Sequence, residues 1–314
     1  MRRAAAIACG LLAALALVGC TGGAAAPRAS GPGAAPQAPA SPAPGSAAAA
    51  PASLQHVVVI MDENKPAQSV IGSVAAPYLT GLARKYAQAS HYSAITHPSL
   101  PNYLAVTSGT TAGITSDCNP PGGRCLDTGA NLAEELDAAG RSWKMYAESM
   151  PAPCSTTNTG LYAVKHNPFL YFPSVTRSAA YCRAHDVPYE QLAVDLASAH
   201  TLPDFSFISP NLCDDMHDCS VAAGDRWLSA NVPRILASPA FSTQRSLLVI
   251  TFDEGDAADN VVPCVLAGPA ARRGTTVSTP FTHYSLLRTI EKAWGLPAMT
   301  ANDANSAPMS PLLR

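Results

Sequence analysis

Four short clusters of polar residues carry the side-chain types that hold cations and attack electrophiles: Asp62-Glu63-Asn64, Thr96-His97-Pro98-Ser99, Ser209-Pro210-Asn211 through His217, and Asp253-Glu254. With His283, the convergent set is Glu63, Asn64, Ser99, Asp214, Asp215, His217, Asp253, Glu254 and His283. It is rich in carboxylates and poor in imidazoles. Crowded carboxylates repel one another, so a cation is their natural partner. Oxygen donors favour a hard divalent ion such as magnesium, calcium or manganese, and the two histidines admit zinc or iron as well. Such an ion polarises a phosphoryl oxygen and lowers the pKa of a bound hydroxyl or water. Ser99 is the best nucleophile in the set. It falls where a strand gives way to a helix, and helix-start N–H groups suit an anion. Pro98 and Pro101 flank it, so this is not the G-x-S-x-G elbow of an α/β hydrolase. The same position would also suit a plain helix cap.

The elements that must position these residues alternate along the chain. Residues 56–61 (HVVVIM) read as a fully buried strand, and 76–88 have helical spacing. Further strands are expected at 91–95, 142–147, 205–208, 247–252 and 261–266. Helices are expected at 101–108, 130–139 (ended by Gly140), 189–199, 222–237 and 283–294. This alternation argues for one α/β domain with a central, mainly parallel sheet flanked by helices. Each polar cluster directly follows an apolar strand. In open α/β sheets ligands bind beyond the carboxyl ends of the strands, so the clusters should meet at one edge.

Several segments together resemble the phosphoesterase family of bacterial and fungal acid phosphatases and phospholipases C, within the alkaline-phosphatase-like superfamily. They are HVVVIMDEN, APYLTGLA, THPSLPNYLAVTSG, KHNPF, FISPNLCDDMHD with GDRWL, LLVITFDEGD and HYSLLRTIEKAWGLP, spanning His56 to about Pro297. The resemblance implies an alkaline-phosphatase-like fold and a role for each matching position. Glu63 and Asn64 are implied as metal ligands from the first strand, Asp253 and Glu254 as the late acidic pair, and Asp215, His217 and His283 as the remaining ligands. Ser99 is implied as the nucleophile and Asn102 as a contact to the phosphoryl oxygens. Lys165 and His166 are implied to bind phosphate or protonate the leaving group, and His97 and Asn211 to contact substrate. Leu100 stands where related acid phosphatases often carry Glu, so the polar contacts beside the nucleophile should differ. The implied activity is hydrolysis of phosphate monoesters through a phosphoserine intermediate. A phospholipase C-type phosphodiesterase and a catalytically silent binder of phosphorylated ligands are the alternatives. The expected partner is a phosphorylated small molecule or lipid.

The remaining chain bounds this chemistry. Arg2 and Arg3 precede an apolar run at 4–18 that is short for a membrane span, and Leu17-Val18-Gly19-Cys20 resembles a lipobox. Residues 1–19 are thus expected to be a signal peptide. Residues 20–53 are expected to be a lipidated cysteine followed by an Ala/Pro-rich tether, and 54–314 to be the catalytic domain of an exported protein held at the membrane through Cys20. A net charge of −2 and scattered basic residues speak against a nucleic-acid partner. Cys118 and Cys125 flank a Pro-Pro-Gly-Gly turn and Cys213 and Cys219 bracket a polar loop, which suits two local bridges. Cys154 and Cys182 would close a longer loop, and Cys264, inside an apolar run, reads as a buried free thiol. No C-x-x-C pair points to a structural zinc site.

Overall fold

A computed structural model describes residues 53–314. The expected leader, Cys20 and nearly all of the tether lie outside the described residues.

Ten strands form in chain order: β1 (His56–Asp62), β2 (Ala87–Ala89), β3 (Tyr92–Ser93), β4 (Trp143–Ala147), β5 (Asp186–Pro188), β6 (Phe205–Ser209), β7 (Ser246–Phe252), β8 (Cys264–Ala267), β9 (Thr275–Val277) and β10 (Phe281–Thr282). Eight of them make one sheet in the order β5-β4-β6-β1-β7-β8-β2-β9. Only β8 runs against its neighbours, β7 and β2; the other pairs in the sheet are parallel. β1 lies between β6 and β7, with Val57 opposite both Phe205 and Leu247. A strand covered on both faces needs an unbroken apolar run, and all seven residues of β1 are buried. Each Val or Ile side chain buried there contributes roughly 1.5–3 kcal/mol. A charged replacement at Val59 would have no face on which to reach water.

The sequence expectation for a helix over 76–88 runs too far. The helix ends at Lys85, and Tyr86 leaves helical geometry with φ −118° and ψ −134°. Ala87–Ala89 then pairs with β8 and β9 at the sheet edge. The expected strand over 91–95 shrinks to β3, which leaves the main sheet and pairs with β10. The last expected strand starts later than 261: the Val262 N–H donates to the Tyr92 carbonyl, and only Cys264–Ala267 joins the sheet. The three expected disulfides are present, Cys118–Cys125, Cys154–Cys182 and Cys213–Cys219, and Cys264 is buried and free. Among the described residues, no helix is long and apolar enough to cross a membrane.

Candidate active site

The centre of the sheet delivers the acids. β1 ends in Asp62 and β7 is followed by Asp253, and the ladder continues as the Asp253 N–H donates to the Asp62 carbonyl at 3.0 Å. The Glu63 N–H donates to the Asp215 carbonyl at 2.8 Å, which draws in the loop after β6. Asn64 turns the chain with φ +54°, a conformation that Asn tolerates. Its N–H donates to Asp253 Oδ1 at 3.0 Å, and its side-chain amide donates to Glu63 Oε2 at 3.3 Å.

Ser99 opens the helix Ser99–Ser108, all ten residues of which are buried. Its hydroxyl donates to Glu63 Oε2 at 3.0 Å and accepts from Lys165 Nζ at 3.3 Å. The nucleophile candidate therefore sits between a carboxylate and an ammonium. Lys165 also donates to Asp117 Oδ2 at 3.0 Å and lies 3.3 Å from His217 Nε2. Burial would lower Lys165, but the charge of Glu63 and the bond to Asp117 outweigh it, so its pKa is raised and the ammonium is kept.

His166 lies in a buried sandwich. Nε2 is 3.1 Å from Glu63 Oε1 and Nδ1 is 3.1 Å from Asp215 Oδ2; these are ion-pair distances, off the direction of a good hydrogen bond. The Tyr103 ring stacks on the imidazole at 5.4 Å, and its hydroxyl donates to Glu63 Oε1 at 2.5 Å. Burial opposes protonation of His166, yet Glu63 and Asp215 overcome it and raise the pKa to about 9. Burial likewise pushes Glu63 up, and His166, Lys165 and the Tyr103 bond pull it down to about 2.

For Asp253, Asp62 and Glu254 burial and neighbouring acids outweigh whatever compensation is present. Burial, then Glu63 and Glu254, hold Asp253 well above the usual carboxylate range; burial, then Asp215 and Glu63, do the same for Asp62. Asp253 Oδ2 and both carboxyl oxygens of Asp62 are buried without a hydrogen-bond partner. Glu254, raised to about 7 by burial and then Glu63, sits nearer the mouth, 3.0 Å from Nδ1 of the half-exposed His97. Donor atoms of Glu63, His166 and His217 lie within 4.8 Å of one another. Unpartnered buried carboxylate oxygens beside a three-donor group fit a divalent cation held by oxygen and imidazole.

Three expected site residues are placed differently from what the resemblance implies. Asn102 spends its amide on the loop before Ser99: its oxygen accepts from the Ile95 and Thr96 N–H groups, and its nitrogen donates to the Thr96 and Pro98 carbonyls. A further contact of 3.3 Å to Glu254 Oε2 is its one link to the acids. His283 has both nitrogens engaged, Nε2 with the Asp253 carbonyl at 2.7 Å and Nδ1 with the Tyr92 hydroxyl at 3.0 Å; burial lowers its pKa to about 4, so the neutral ring braces Asp253 from behind. Asn211 turns its own loop, accepting from the Cys213 and Asp214 N–H groups and donating to Ser149 and Asp214.

Sequence reasoning also missed two contributors, Asp117 and Tyr103. Asp117 accepts the Leu100 N–H at 2.9 Å as well as Lys165, and nothing in its local sequence marks it. Tyr103 was legible in principle, because it stands four residues after Ser99 and so shares its helix face. Asp62 adjoins an expected ligand, but only burial reveals its lack of partners.

Sheet order, helical flanks and an acid-rich site at the carboxyl edge define the alkaline-phosphatase superfamily fold. A solved member of that superfamily from Vibrio parahaemolyticus superposes with a TM-score of 0.55 at 13% identity over 79% of this chain and 68% of its own. The murine ectonucleotide pyrophosphatase/phosphodiesterase 5 superposes at 0.54 with 12% identity over 83% of this chain and all of its own. Likeness at this level shows the fold. Residues 73–297 match the model of the phosphoesterase family, and the chain belongs to that family of phosphoric-ester hydrolases. A phosphatidylinositol-3-phosphatase of Mycobacterium tuberculosis is 38% identical over 81% of both chains. A phosphate-repressible acid phosphatase of Penicillium chrysogenum is 34% identical over 70% of this chain and 55% of its own, so the chain spans about half the length of that fungal relative.

Proposed function

We propose that the protein is an exported, metal-dependent phosphomonoesterase in which Ser99 attacks phosphorus and carries the phosphoryl group as a phosphoserine. The observation that carries the reading is the seat of Ser99 Oγ, 3.0 Å from Glu63 and 3.3 Å from the Lys165 ammonium, beside buried acids with unpartnered oxygens. Glu63, Asp253 and Asp215 would hold the ion together with His217 or His166, with Glu254 and Asn64 at the rim. When bound, the ion supplies Lewis acidity that acidifies the nucleophile and neutralises phosphoryl charge.

The chain's own groups do the rest. The Ser99 hydroxyl, oriented by its bond to Glu63, gives up its proton to solvent, and Lys165 steadies the developing oxyanion. Lys165 and, at the mouth, His97 offer positive charge to the phosphoryl oxygens. The O–P bond to Ser99 forms as the bond to the leaving oxygen breaks, that oxygen takes up a proton from solvent to depart as the alcohol, and water then hydrolyses the phosphoseryl ester with overall retention. Disulfides support an exported protein. Two relatives named as phosphatases support a monoester substrate. Turnover of p-nitrophenyl phosphate, bis-p-nitrophenyl phosphate and phosphatidylcholine, before and after chelation, tests the proposal. The monoester should be hydrolysed much faster than the other two, and chelation should abolish the activity reversibly. A preference for phosphatidylcholine would hand the site to phosphodiester chemistry.

A further inference from the structure

Six basic residues that lie far apart in the sequence gather at one end of the folded domain. β1 and β7 run in parallel from His56 and Ser246 toward the acids at Asp62 and Phe252, so the end carrying Leu54 and Arg245 is the one away from the active site. β2 and β9 have the same direction, because β8 runs against both β7 and β2. Arg84 and Lys85, just before β2, and Arg272 and Arg273, just before β9, therefore face that same end. The Gly274 N–H donates to the Lys85 carbonyl, and the Ala270 N–H donates to the Ser246 carbonyl, which ties these segments together. The helix His283–Trp294 starts beside Asp253 and finishes with the Trp294 indole donating to the Leu54 carbonyl, so Lys292 reaches this end too.

Arg84, Lys85, Arg272, Arg273 and Lys292 are exposed, and Arg245 is half-buried. A cavity of about 310 Å³ opens among Ser53, Arg245, Arg272 and Lys292. Among the acids at this end, Asp204 is offset by Arg141 at 3.1 Å and Asp195 by Lys144 at 2.7 Å; Asp137, bonded to the Tyr181 hydroxyl, and buried Asp303, bonded to the Met299 and Thr300 N–H groups, keep their charge against these six cations. The opposite end is acidic beyond the site itself, with Asp218, Asp256 and Asp259 exposed in the loops that follow β6 and β7. The described domain is thus richer in exposed cations at its base and in exposed acids at its catalytic mouth.

We propose that the cationic base docks on an anionic bilayer surface and leaves the catalytic mouth facing away from it. Two independent observations select this occupant. The charge is complementary to a sheet of lipid phosphates and spread over several strands and a helix end, which suits a broad surface. The chain also enters the domain at Ser53, on the rim of the basic cavity, so the 52 residues that precede it join at the docking face. A lysine or arginine near an anionic membrane contributes about fivefold in affinity. Substrates reached in this orientation are soluble phosphate esters, because esters in the docked bilayer would lie beneath the wrong end of the sheet.

The test uses the full chain carrying Cys20→Ser, so that no acyl anchor holds it, and its triple variant Lys85→Glu, Arg273→Glu, Lys292→Glu. Both are mixed with vesicles of phosphatidylcholine alone or of phosphatidylcholine and phosphatidylglycerol in equal parts, and co-sedimentation is measured at low and high salt. The parent should prefer the anionic vesicles by at least about tenfold and lose that preference in high salt. The triple variant should lose it at low salt while hydrolysing p-nitrophenyl phosphate in solution at the parental rate, which also reports its fold. The salt series on the parent stands by itself if the variant does not fold. Vesicle-bound parent should turn over p-nitrophenyl phosphate undiminished. Equal binding to both vesicles, binding indifferent to the three reversals, or activity blocked on the vesicle surface would each overturn the proposal.

Discussion

At the scale of single residues, Ser99 and Asp253 play separable roles in the proposed mechanism. Ser99→Ala removes the attacking oxygen and leaves every acid in place. Turnover should fall by several orders of magnitude, as when other catalytic nucleophiles are deleted. Stability should change by at most about 2 kcal/mol, since a small residue at a helix start contributes no more, and metal content by less than calorimetry and metal analysis resolve. Ser99 does not serve as a helix cap, since the N-cap position is Pro98 and carries no side-chain cap bond. Asp253→Asn acts through charge. Its carboxyl is held well above the usual range by burial and by Glu63 and Glu254, so the metal-free protein should be no less stable, and should gain at neutral pH, when that charge is removed. Metal affinity and activity should drop together, and excess metal should restore part of the activity. Full activity at ordinary metal concentration would remove Asp253 from the ligand set.

At the scale of elements, buried acids outside the site carry their own pH signature. Asp186 in β5 is fully buried; its carboxyl accepts from the Asn167 amide at 2.9 Å and lies by the Cys154 N–H, which donates to the Asp186 backbone carbonyl at 3.0 Å. Burial, only partly offset by these bonds, raises its pKa from 3.8 to about 7. The folded state thus keeps a proton that the unfolded chain releases. That contribution to stability is complete below about pH 4 and is lost as pH rises through about 7. Asp186→Asn fixes the neutral form, so urea unfolding of the variant should show a flatter decline across this window than wild type. An unchanged slope would mean that Asp186 ionises normally. The loop before Ser99 depends on Asn102 in a similar way. One amide satisfies four backbone groups of residues 95–98, and this places the nucleophile although the neighbouring strand β3 is only two residues long.

At the scale of the whole molecule, membrane attachment is the expectation that rests on the N-terminal segment. If Cys20 is acylated, Cys20→Ser should release the protein from cell membranes into the soluble fraction or block its processing. Mass spectrometry of the wild-type N-terminus checks the same point, and a mature terminus beyond Cys20 without lipid would refute it. The parallel sheet also explains why the chain can combine a cationic base with an anionic mouth. Chain segments from distant parts of the sequence start at one end of the sheet and finish at the other, so the charge at each segment's start and finish is sorted spatially by the strand direction.

The sequence by itself determined the α/β class, the buried strands β1, β6 and β7 and the clusters that follow them, and it suggested the disulfide pairing that the structure shows. Each depends on local chemistry: short unbroken Val-Ile-Leu runs bounded by polar clusters suit central strands, and cysteines flanking short polar turns suit local bridges such as Cys118–Cys125 and Cys213–Cys219. Tertiary structure decided what depends on direction and on neighbours far along the chain. Asp117 meets Lys165 across 48 residues, and Asn102 meets Glu254 across 152. His283 is expected as a ligand, and only packing shows that its two nitrogens are spent on Tyr92 and the Asp253 carbonyl rather than left open. The short strands β2, β5 and β9 were illegible for a related reason. Three residues at a sheet edge carry no periodicity of their own, and they become strands only because β8, β4 and β2 present unpaired backbone groups beside them.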